Sequence, residues 1–551
     1  MPQLLDSTAI PFLTLGLLIV GCIISSKLSS RFSMPCLLLF LLLGMGLHYV
    51  LGDGLLPGLD STELEQLNEH IDWKIANSFG TMALAFILFS GGYDSSLAGI
   101  RKVLIPGTIL STAGVLLTAL LLGGFVIVLF HHRIPEGMTD TAFFASCMLF
   151  GSIISSTDAS AVFSILRSRK ISLRGTLRPL LEYESGSNDP MATLLTLFFL
   201  GMYETVSGGG SAAAECMLFL PQFVWKMGIG VGVGIALSRG AIWLFNRLQL
   251  DYDGLYHVLG MGIVLVTYAA ASWINANGFM AVYVAGIVMG NSQFVFKNSY
   301  GRFSDALAWL MQVLLFTMLG LKANPEILFN WKFAGWGLVM ALFLMFVARP
   351  AATFLCLFKS SYSTRAKLLV SWVGLRGGAP IMLATFPLII NQSEWPTIGG
   401  GNFNVAEIMF NMIFFMVLLS VAFQSFTIMP LARLLHLDSP LKVVPTAPLA
   451  FDQVSFSRRK DDGGHADEDD YADNHPGEFT IPAGSDMVDK ELRNLGLPEG
   501  VFVIMIRRNA KYIVPRGNTV IHEGDTMTVM GTTDRLREAA IFFNSTNSHE
   551  E

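Results

Sequence analysis

Five ionisable residues stand where ionisable residues are costly. Asp158, Glu184, Asp189, Arg349 and Arg376 all fall inside long apolar runs. At the centre of a membrane span a charged side chain costs about 2.5–3.5 kcal/mol on insertion scales. Around the acids lie oxygen-bearing neighbours, in Gly151-Ser-Ile-Ile-Ser-Ser-Thr-Asp-Ala-Ser160 and Glu184-Ser-Gly-Ser-Asn-Asp-Pro190. On a helix, Glu184 with Asn188 and Ser185 with Asp189 are i,i+4 pairs, so they form two adjacent stripes. Hard alkali cations prefer oxygen ligands, and Thr157, Asp158, Ser185, Asn188 and Asp189 supply them. Removing a carboxylate from water favours its neutral form, so one site could hold either a cation or a proton. The alternative is that these residues only pair with one another to hold helices together. Arg349 could pair with Glu184, which leaves Asp189 free to titrate, since a buried charge needs a partner. Arg376, within Gly374-Leu-Arg-Gly-Gly-Ala-Pro380, could neutralise helix ends that point into the site.

The elements that must position these residues are membrane spans. The chain has 551 residues, 52% hydrophobic and only 14% charged, with a mean hydropathy of +0.54. A soluble globular chain carries about 25% charged residues. The apolar runs fill positions 8 to 434 and are long enough to cross about 30 Å of hydrocarbon. They read as about thirteen spans, near 8–26, 33–51, 77–98, 104–130, 141–168, 178–203, 216–245, 254–274, 278–293, 304–321, 333–357, 366–391 and 406–434. Met1 to Ser7 lacks the basic start of a cleavable signal, so the first run is expected to stay as a span.

Lys and Arg concentrate in alternate loops. One side holds Lys27, Arg31, Arg101, Lys102, Arg167, Arg169, Lys170, Arg174, Arg178, Arg247, Lys297, Arg302, Lys359, Arg365 and Lys367. The other holds little beyond Lys74, Arg133, Lys322 and Lys332. The basic side is therefore expected to be cytoplasmic, with the N-terminus outside and the C-terminus inside. Thirteen spans divide as six, one and six, which makes two units of inverted topology, and in such folds the site lies at interrupted helices near the midplane. Both polar, glycine-bearing interruptions fall in the fifth span of their unit. Backbone groups freed by such breaks are tolerable in a bilayer only beside a cavity or a bound ion.

Four motifs carry a family resemblance: Ser156-Thr-Asp-Ala-Ser-Ala-Val162, Glu184-Ser-x-x-Asn-Asp189, Ala348-Arg-Pro350 and Gly374-Leu-Arg-Gly377. In this order, over residues 8 to 434, they resemble the cation:proton antiporter 1 family. That family comprises the bacterial sodium–proton and potassium–proton antiporters and their eukaryotic exchanger relatives. The resemblance implies an all-α polytopic fold and a homodimer whose protomers each have a dimerisation part and a moving core. It implies that Asp189 carries the cation or proton, and that Thr157, Asp158, Ser185 and Asn188 help form the site. It also implies that Glu184 pairs with Arg349 and that the Asn–Asp pair marks electroneutral exchange. The implied substrates are K⁺ or Na⁺ and H⁺, exchanged across a bacterial inner membrane, with K⁺ favoured over Na⁺. One departure is plain. Many relatives end the third-span motif with an acid before paired glycines, whereas Phe89-Ser90-Gly91-Gly92 has serine. Asp94, four residues on, reads as an interfacial charge.

Residues 436–478 crowd Asp461, Asp462, Asp467, Glu468, Asp469 and Asp470 into a polar, glycine-containing stretch that reads as a flexible acidic linker. Beyond it, from 479 to 551, a small α+β domain is expected. A capped helix is predicted over Ser485–Leu495, and strands over Val501–Ile506, Lys511–Val514 and Thr526–Met530, separated by turns at Pro515-Arg-Gly and Glu523-Gly-Asp525. The pattern of Leu492, Leu497-Pro, Arg508, Pro515-x-Gly-x-Thr519 and Glu523-Gly-Asp525 resembles the C-terminal (TrkA-C-like) subdomain of potassium-conductance regulators. Such domains dimerise, and some bind a cyclic dinucleotide or another nucleotide. Their Rossmann companion is absent from the sequence.

Other classes find little support. Gly228-Ile-Gly-Val-Gly-Val-Gly234 lies in an apolar span and reads as close helix packing rather than a phosphate loop. All five cysteines fall in apolar runs without metal spacing and read as packing residues. His257 reads as an interfacial histidine. No catalytic triad, zinc spacing or Walker motif appears, and the tail has no basic stripe for nucleic acid. No Thr-Val-Gly-Tyr-Gly filter supports a channel. An enzyme is not expected, and no cofactor beyond a regulatory tail ligand.

Overall fold

The computed structural model describes most of residues 36–52 and 73–440, scattered positions between 16 and 27, and most of 474–539. Residues 8–15 of the first predicted span, Arg31, Arg167, Arg169, Lys170 and the acidic run at 461–470 lie outside the described residues. The chain divides into two compact units, Met1–Lys442 and Val443–Glu551.

The first unit is a helical assembly. Its helices are α1 (Cys36–Gly52), α2 (Trp73–Asp94), α3 (Leu97–Phe130), α4 (Asp140–Ile153), α5 (Leu177–Ser207), α6 (Ala212–Arg247), α7 (Gly254–Trp273), α8 (Gly278–Gly290), α9 (Lys297–Leu321), α10 (Trp331–Cys356), α11 (Thr364–Trp372), α12 (Gly378–Leu383) and α13 (Val405–Leu434). Seven of these, α2, α3, α6, α7, α9, α10 and α13, are long and apolar enough to cross a bilayer. Shorter apolar helices account for α1, α4, α8 and α12. α5 has the length but carries Arg178, Glu182, Glu184, Asp189 and Glu204.

The predicted span over 141–168 ends its first helix at Ile153, and the one over 366–391 breaks between Trp372 and Gly378. Both interruptions read from the sequence are therefore breaks in the fold. A second correspondence was not predicted. α3 and α10 each widen into a single π-helical turn, at Leu110–Gly114 and Leu344–Ala348, and in each case after 13 residues of α-helix. These are the fourth spans of the two six-span units. A π turn carries one residue too many for the α ladder and recurs at functional sites. Its repetition at the same depth marks the two units as repeats of one design.

Small residues set the closest helix approaches. On α6, Gly230 and Gly234 lie one turn apart, and a Cβ at either would press on the Asn277 or Ala281 carbonyl at the start of α8. The expected packing role of that glycine run is thus confined to the two glycines facing α8. The cysteines divide: Cys22 and Cys147 are buried, Cys36 and Cys356 half-buried, and Cys216 exposed on α6. Packing within the described residues of this chain therefore does not account for Cys216. A short pairing of Ile171–Leu173 (β1) with Asp438–Pro440 (β2) ties the end of α13 back beside α5. The last part of that strap falls within the stretch read as linker.

The second unit holds a four-stranded antiparallel sheet of Asn474–Thr480 (β3), Phe502–Arg508 (β4), Lys511–Ile513 (β5) and Thr526–Thr532 (β6), ordered β3-β6-β4-β5. β3 begins inside the stretch read as linker and pairs along its whole length with β6. The helix predicted over Ser485–Leu495 does not form. Asp489, Leu492 and Arg493 instead donate their backbone N–H groups to the carbonyls of Ile521, Thr519 and Gly517, at 2.8, 2.8 and 3.0 Å. Only one 3₁₀ turn remains, at Leu492–Asn494. Long-range pairing has taken the donors that a helix would need.

Asp525 is fully buried in this unit and receives both Arg508 Nε and Nη2, at 2.9 and 2.7 Å, and the His522 N–H at 2.9 Å. Burial pushes its carboxyl up, but these three donors outweigh burial and hold it below the usual carboxylate range. A depressed folded value stabilises the fold above the unfolded value, about pH 3.9, and that contribution disappears as pH falls through the folded one. Arg508→Ala in the full chain should destabilise the tail by about 3 kcal/mol at neutral pH, because it leaves a buried carboxylate unpaired. Hydrogen exchange of β4 and β6 should show the loss at pH 7, and a smaller one below pH 4. Unchanged protection at pH 7 would show that the pair does not support the sheet.

Candidate functional site

The two breaks cross, and each supplies what the other lacks. From the first, the Asp158 N–H donates to the Leu375 carbonyl in the second at 2.7 Å. From the second, Arg376 Nη1 donates to the Ser155 and Ser156 carbonyls just past the end of α4, at 2.7 Å each. Arg376 is 1% exposed. Its cation meets the carbonyl end of a helix, where the dipole favours positive charge. Four more backbone groups find side chains. The Ala159 N–H donates to Ser185 Oγ at 2.9 Å, and Ser185 Oγ donates to the Thr157 carbonyl at 2.9 Å. On α13, Ser420 Oγ accepts the Arg376 N–H at 3.2 Å, and Gln424 Nε2 donates to the Trp372 carbonyl at 2.9 Å.

α5 brings the remaining predicted residues to the crossing. Asn188 Nδ2 donates to Thr157 Oγ1 at 2.5 Å. Ser185, Asp189, Thr157 and Asp158 line one cavity of about 190 Å³. Asp189 interacts electrostatically with Asp158. Gly377, in the second break, admits the Asp158 side chain, which a Cβ there would overlap. The second stripe of α5 turns away from the cavity: Glu184, 1% exposed, accepts a hydrogen bond from Arg349 Nη2 of α10, itself 2% exposed. Arg349 and Pro350 follow directly on the π turn of α10. All eight residues singled out from the sequence thus occupy one neighbourhood: Thr157, Asp158, Ser185 and Asp189 on the cavity, Asn188 bonded to Thr157, Arg376 on the helix-end carbonyls, and the Glu184–Arg349 pair.

Three features were not read from the sequence. Ser420 and Gln424 form an i,i+4 polar pair, with Ser420 Oγ donating to Gln424 Oε1 at 2.5 Å; a polar pair in so apolar a span is the signal that would have found them. Asp94, which is exposed, and Glu182 line the same cavity as Asp158 and Asp189. Ser90 is not part of the cavity wall; its Oγ donates to Asp305 Oδ1 of α9 at 2.8 Å. His257 Nε2 lies 3.1 Å from Ser299 Oγ, away from these residues.

The model of the transmembrane sodium/hydrogen exchanger family matches residues 15–434. The chain belongs to the sodium/hydrogen exchanger family. Residues 477–544 match the TrkA-C domain, so this exchanger-family chain carries that domain after its membrane unit. It is 30% identical over 526 residues to the K(+)/H(+) antiporter NhaP of Alkalimonas amylolytica, covering 96% of this chain and 82% of the relative. It is 27% identical over 403 residues to the Na(+)/H(+) antiporter NhaP of Pseudomonas aeruginosa, covering 69% and 86%. In fold it is similar to the sodium proton antiporter MjNhaP1 of Methanocaldococcus jannaschii at pH 8, with a TM-score of 0.62 and 24% identity, over 78% of this chain and 99% of that one. The fold expected from the sequence is the fold of this exchanger-family member.

The Glu184–Arg349 contact gives a direct test. Removing either partner leaves a buried charge, at a cost of about 3–5 kcal/mol. Glu184→Gln combined with Arg349→Gln should therefore destabilise by clearly less than the sum of the single changes. Thermal unfolding of the purified variants in detergent measures this, and additive losses would rule out direct coupling.

Proposed function

We propose that this chain is an electroneutral antiporter exchanging one monovalent cation, K⁺ by preference, for one proton by alternating access, with Asp189 as the shared carrier. Family membership supports cation/proton exchange. The observation that carries the finer reading is the charge of the crossing. Asp158, Glu184 and Asp189 bring three negative charges, and Arg349 and Arg376 bring two positive ones, a formal balance of −1. Glu184 is spent on Arg349, and Arg376 on helix carbonyls. Asp158 and Asp189 both line the cavity and interact electrostatically, and two carboxylates out of water repel each other. One cation or one proton offsets that repulsion, and each displaces the other. Thr157, Ser185 and Asn188 complete the oxygen shell in this reading, with Asp158 helping to hold the cation.

Several further properties belong to the same proposal. The Lys and Arg bias supports a C-terminus facing the cytoplasm of a bacterial inner membrane, with the N-terminus outside. K⁺ efflux driven by proton entry would relieve potassium excess and alkaline stress, a role in pH homeostasis. The chain works as a homodimer in this reading, and the TrkA-C domain regulates it, with a cyclic dinucleotide or other nucleotide as the class of ligand. The K⁺/H⁺ relative covers nearly the whole chain, tail included, which favours potassium over the sodium–proton alternative.

Asp189→Asn should abolish cation-dependent dequenching of a pH dye in liposomes while the protein remains monodisperse, because an amide cannot release and accept the proton. Normal proton-coupled K⁺ flux in that variant would refute the carrier assignment. Exchange of Na⁺ with no K⁺ response across pH 6–9 would replace potassium by sodium. Deleting residues 452–551 removes no intramembrane group, so exchange should persist with an altered dependence on cytoplasmic pH. Complete loss in a well-inserted truncated protein would make the tail part of the cycle.

A further inference from the structure

The second break opens one specific helix bond. In an unbroken α-helix the Arg376 N–H would donate to the Trp372 carbonyl, four residues earlier. Here α11 ends at Trp372, α12 begins at Gly378, and the Arg376 N–H goes elsewhere. Both ends of the missing bond are taken by α13. The Arg376 N–H donates to Ser420 Oγ at 3.2 Å, Ser420 Oγ donates to Gln424 Oε1 at 2.5 Å, and Gln424 Nε2 donates to the Trp372 carbonyl at 2.9 Å. Two side chains one turn apart on α13 thus insert into the helix ladder where it is cut.

Every direction in this chain of bonds is fixed. A carbonyl only accepts, so the Trp372 oxygen requires the amide nitrogen of Gln424. That leaves Oε1 for the single hydroxyl proton of Ser420, whose oxygen accepts the Arg376 N–H. Both side chains are 1% exposed. The first break is bridged in a similar way: Ser185 Oγ accepts the Ala159 N–H and donates to the Thr157 carbonyl, at 2.9 Å each. Ser185 stands on α5, the sixth span of the first six-span unit, and Ser420 on α13, the sixth span of the second. In each unit the sixth span therefore carries a serine that both accepts from and donates beside the broken fifth. The two breaks also depend on each other. Leu375 and Arg376, beside the bridge made by α13, bind the Asp158 N–H and the Ser155 and Ser156 carbonyls of the first break.

We propose that Ser420 and Gln424 are positioning residues for exchange: they keep the helix bond between Trp372 and Arg376 open, and so place Leu375 and Arg376, which hold the backbone at Asp158. The inference rests on the antiport reading above, in which Asp158 helps to hold the cation. Neither Ser420 nor Gln424 lines the cavity. Without the pair, the Arg376 N–H and the Trp372 carbonyl lose their partners, and closing on each other satisfies both. That closure draws Leu375 and Arg376 back toward a continuous helix and loosens Asp158, so the cation is held less well.

The test uses the purified full-length chain in liposomes, with K⁺ titrated and proton movement followed by a pH dye. Ser420→Ala should raise the apparent KM for K⁺ about tenfold, the scale of one lost buried hydrogen bond, with a smaller change in maximal rate. Ser420→Thr, which keeps the hydroxyl, should restore the wild-type KM. Ser420→Ala combined with Gln424→Met should raise KM little beyond the worse single change, because the pair acts as one unit. An unchanged KM in Ser420→Ala would overturn the proposal, as would a KM in Ser420→Thr as high as in Ser420→Ala, or single effects that simply add. A lowered unfolding temperature with an unchanged KM would assign the pair to packing alone and overturn it as well. Should Ser420→Ala not be recovered from membranes, Gln424→Met decides, with the same rise in KM expected and an unchanged KM counting against the proposal. A wild-type protein without cation/proton exchange would instead refute the antiport reading itself, so the two failures are distinguishable.

Discussion

A helix that stops inside a bilayer leaves amides and carbonyls that hydrocarbon cannot solvate, each at a cost of several kcal/mol. This chain stops two helices at the same place and settles most of the account by crossing them. The Asp158 N–H meets the Leu375 carbonyl, and Arg376 meets the carbonyls of Ser155 and Ser156. Ser185, Ser420 and Gln424 take the next groups out. The position of Asp158 follows from this pairing, since its own backbone is one of the rungs. Asp158, in the proposed cation site, is thus placed by the same bonds that make the breaks tolerable.

That constraint explains why the crossing carries buried charge. An arginine without other partners at the bilayer centre would be expensive; Arg376 is affordable because helix carbonyls need a donor there. Arg349 is satisfied differently, by Glu184 on the neighbouring face of α5. α5 therefore serves two bodies of the site at once. One stripe, Glu184 and Asn188, faces the ion pair and Thr157, and the other, Ser185 and Asp189, faces the cavity. The helix can hold both because i,i+4 spacing stacks each pair on its own line. Changes at Glu184 should then be felt at Asp189 through orientation of the helix, without contact with the ion.

Much of this was legible in the sequence because membrane proteins make polarity expensive. A carboxylate or guanidinium in an apolar run is a signal by itself, and that signal found Asp158, Glu184, Asp189, Arg349 and Arg376. Glycine and serine clusters found both breaks. The sequence was silent where polarity or periodicity did not change. The π turns at Leu110–Gly114 and Leu344–Ala348 contain ordinary apolar residues, and nothing local distinguishes one extra residue per turn. In the tail, Ser485–Leu495 has acceptable helical composition, but pairing with 517–521 outbids a helix too short to hold itself. The strand at Asn474–Thr480, with Pro476 and Gly477 inside it, has poor strand composition and exists because β6 offers it a full-length edge.

The serine at position 90 ties stoichiometry to this geometry. Where many relatives place an acid before the paired glycines, Ser90 faces Asp305 of α9 and leaves the cavity wall to Gly91. An acid at 90 would meet the Asp305 carboxylate at hydrogen-bond distance, and two like charges there would repel. Serine donates to Asp305 instead, so position 90 adds no charge to the five at the crossing. Those five sum to −1. A site with that balance is neutral with one alkali ion or with one proton, and in neither state must it carry net charge through the membrane. The proposed electroneutral exchange of one for one would then follow from the formal charge of these five side chains.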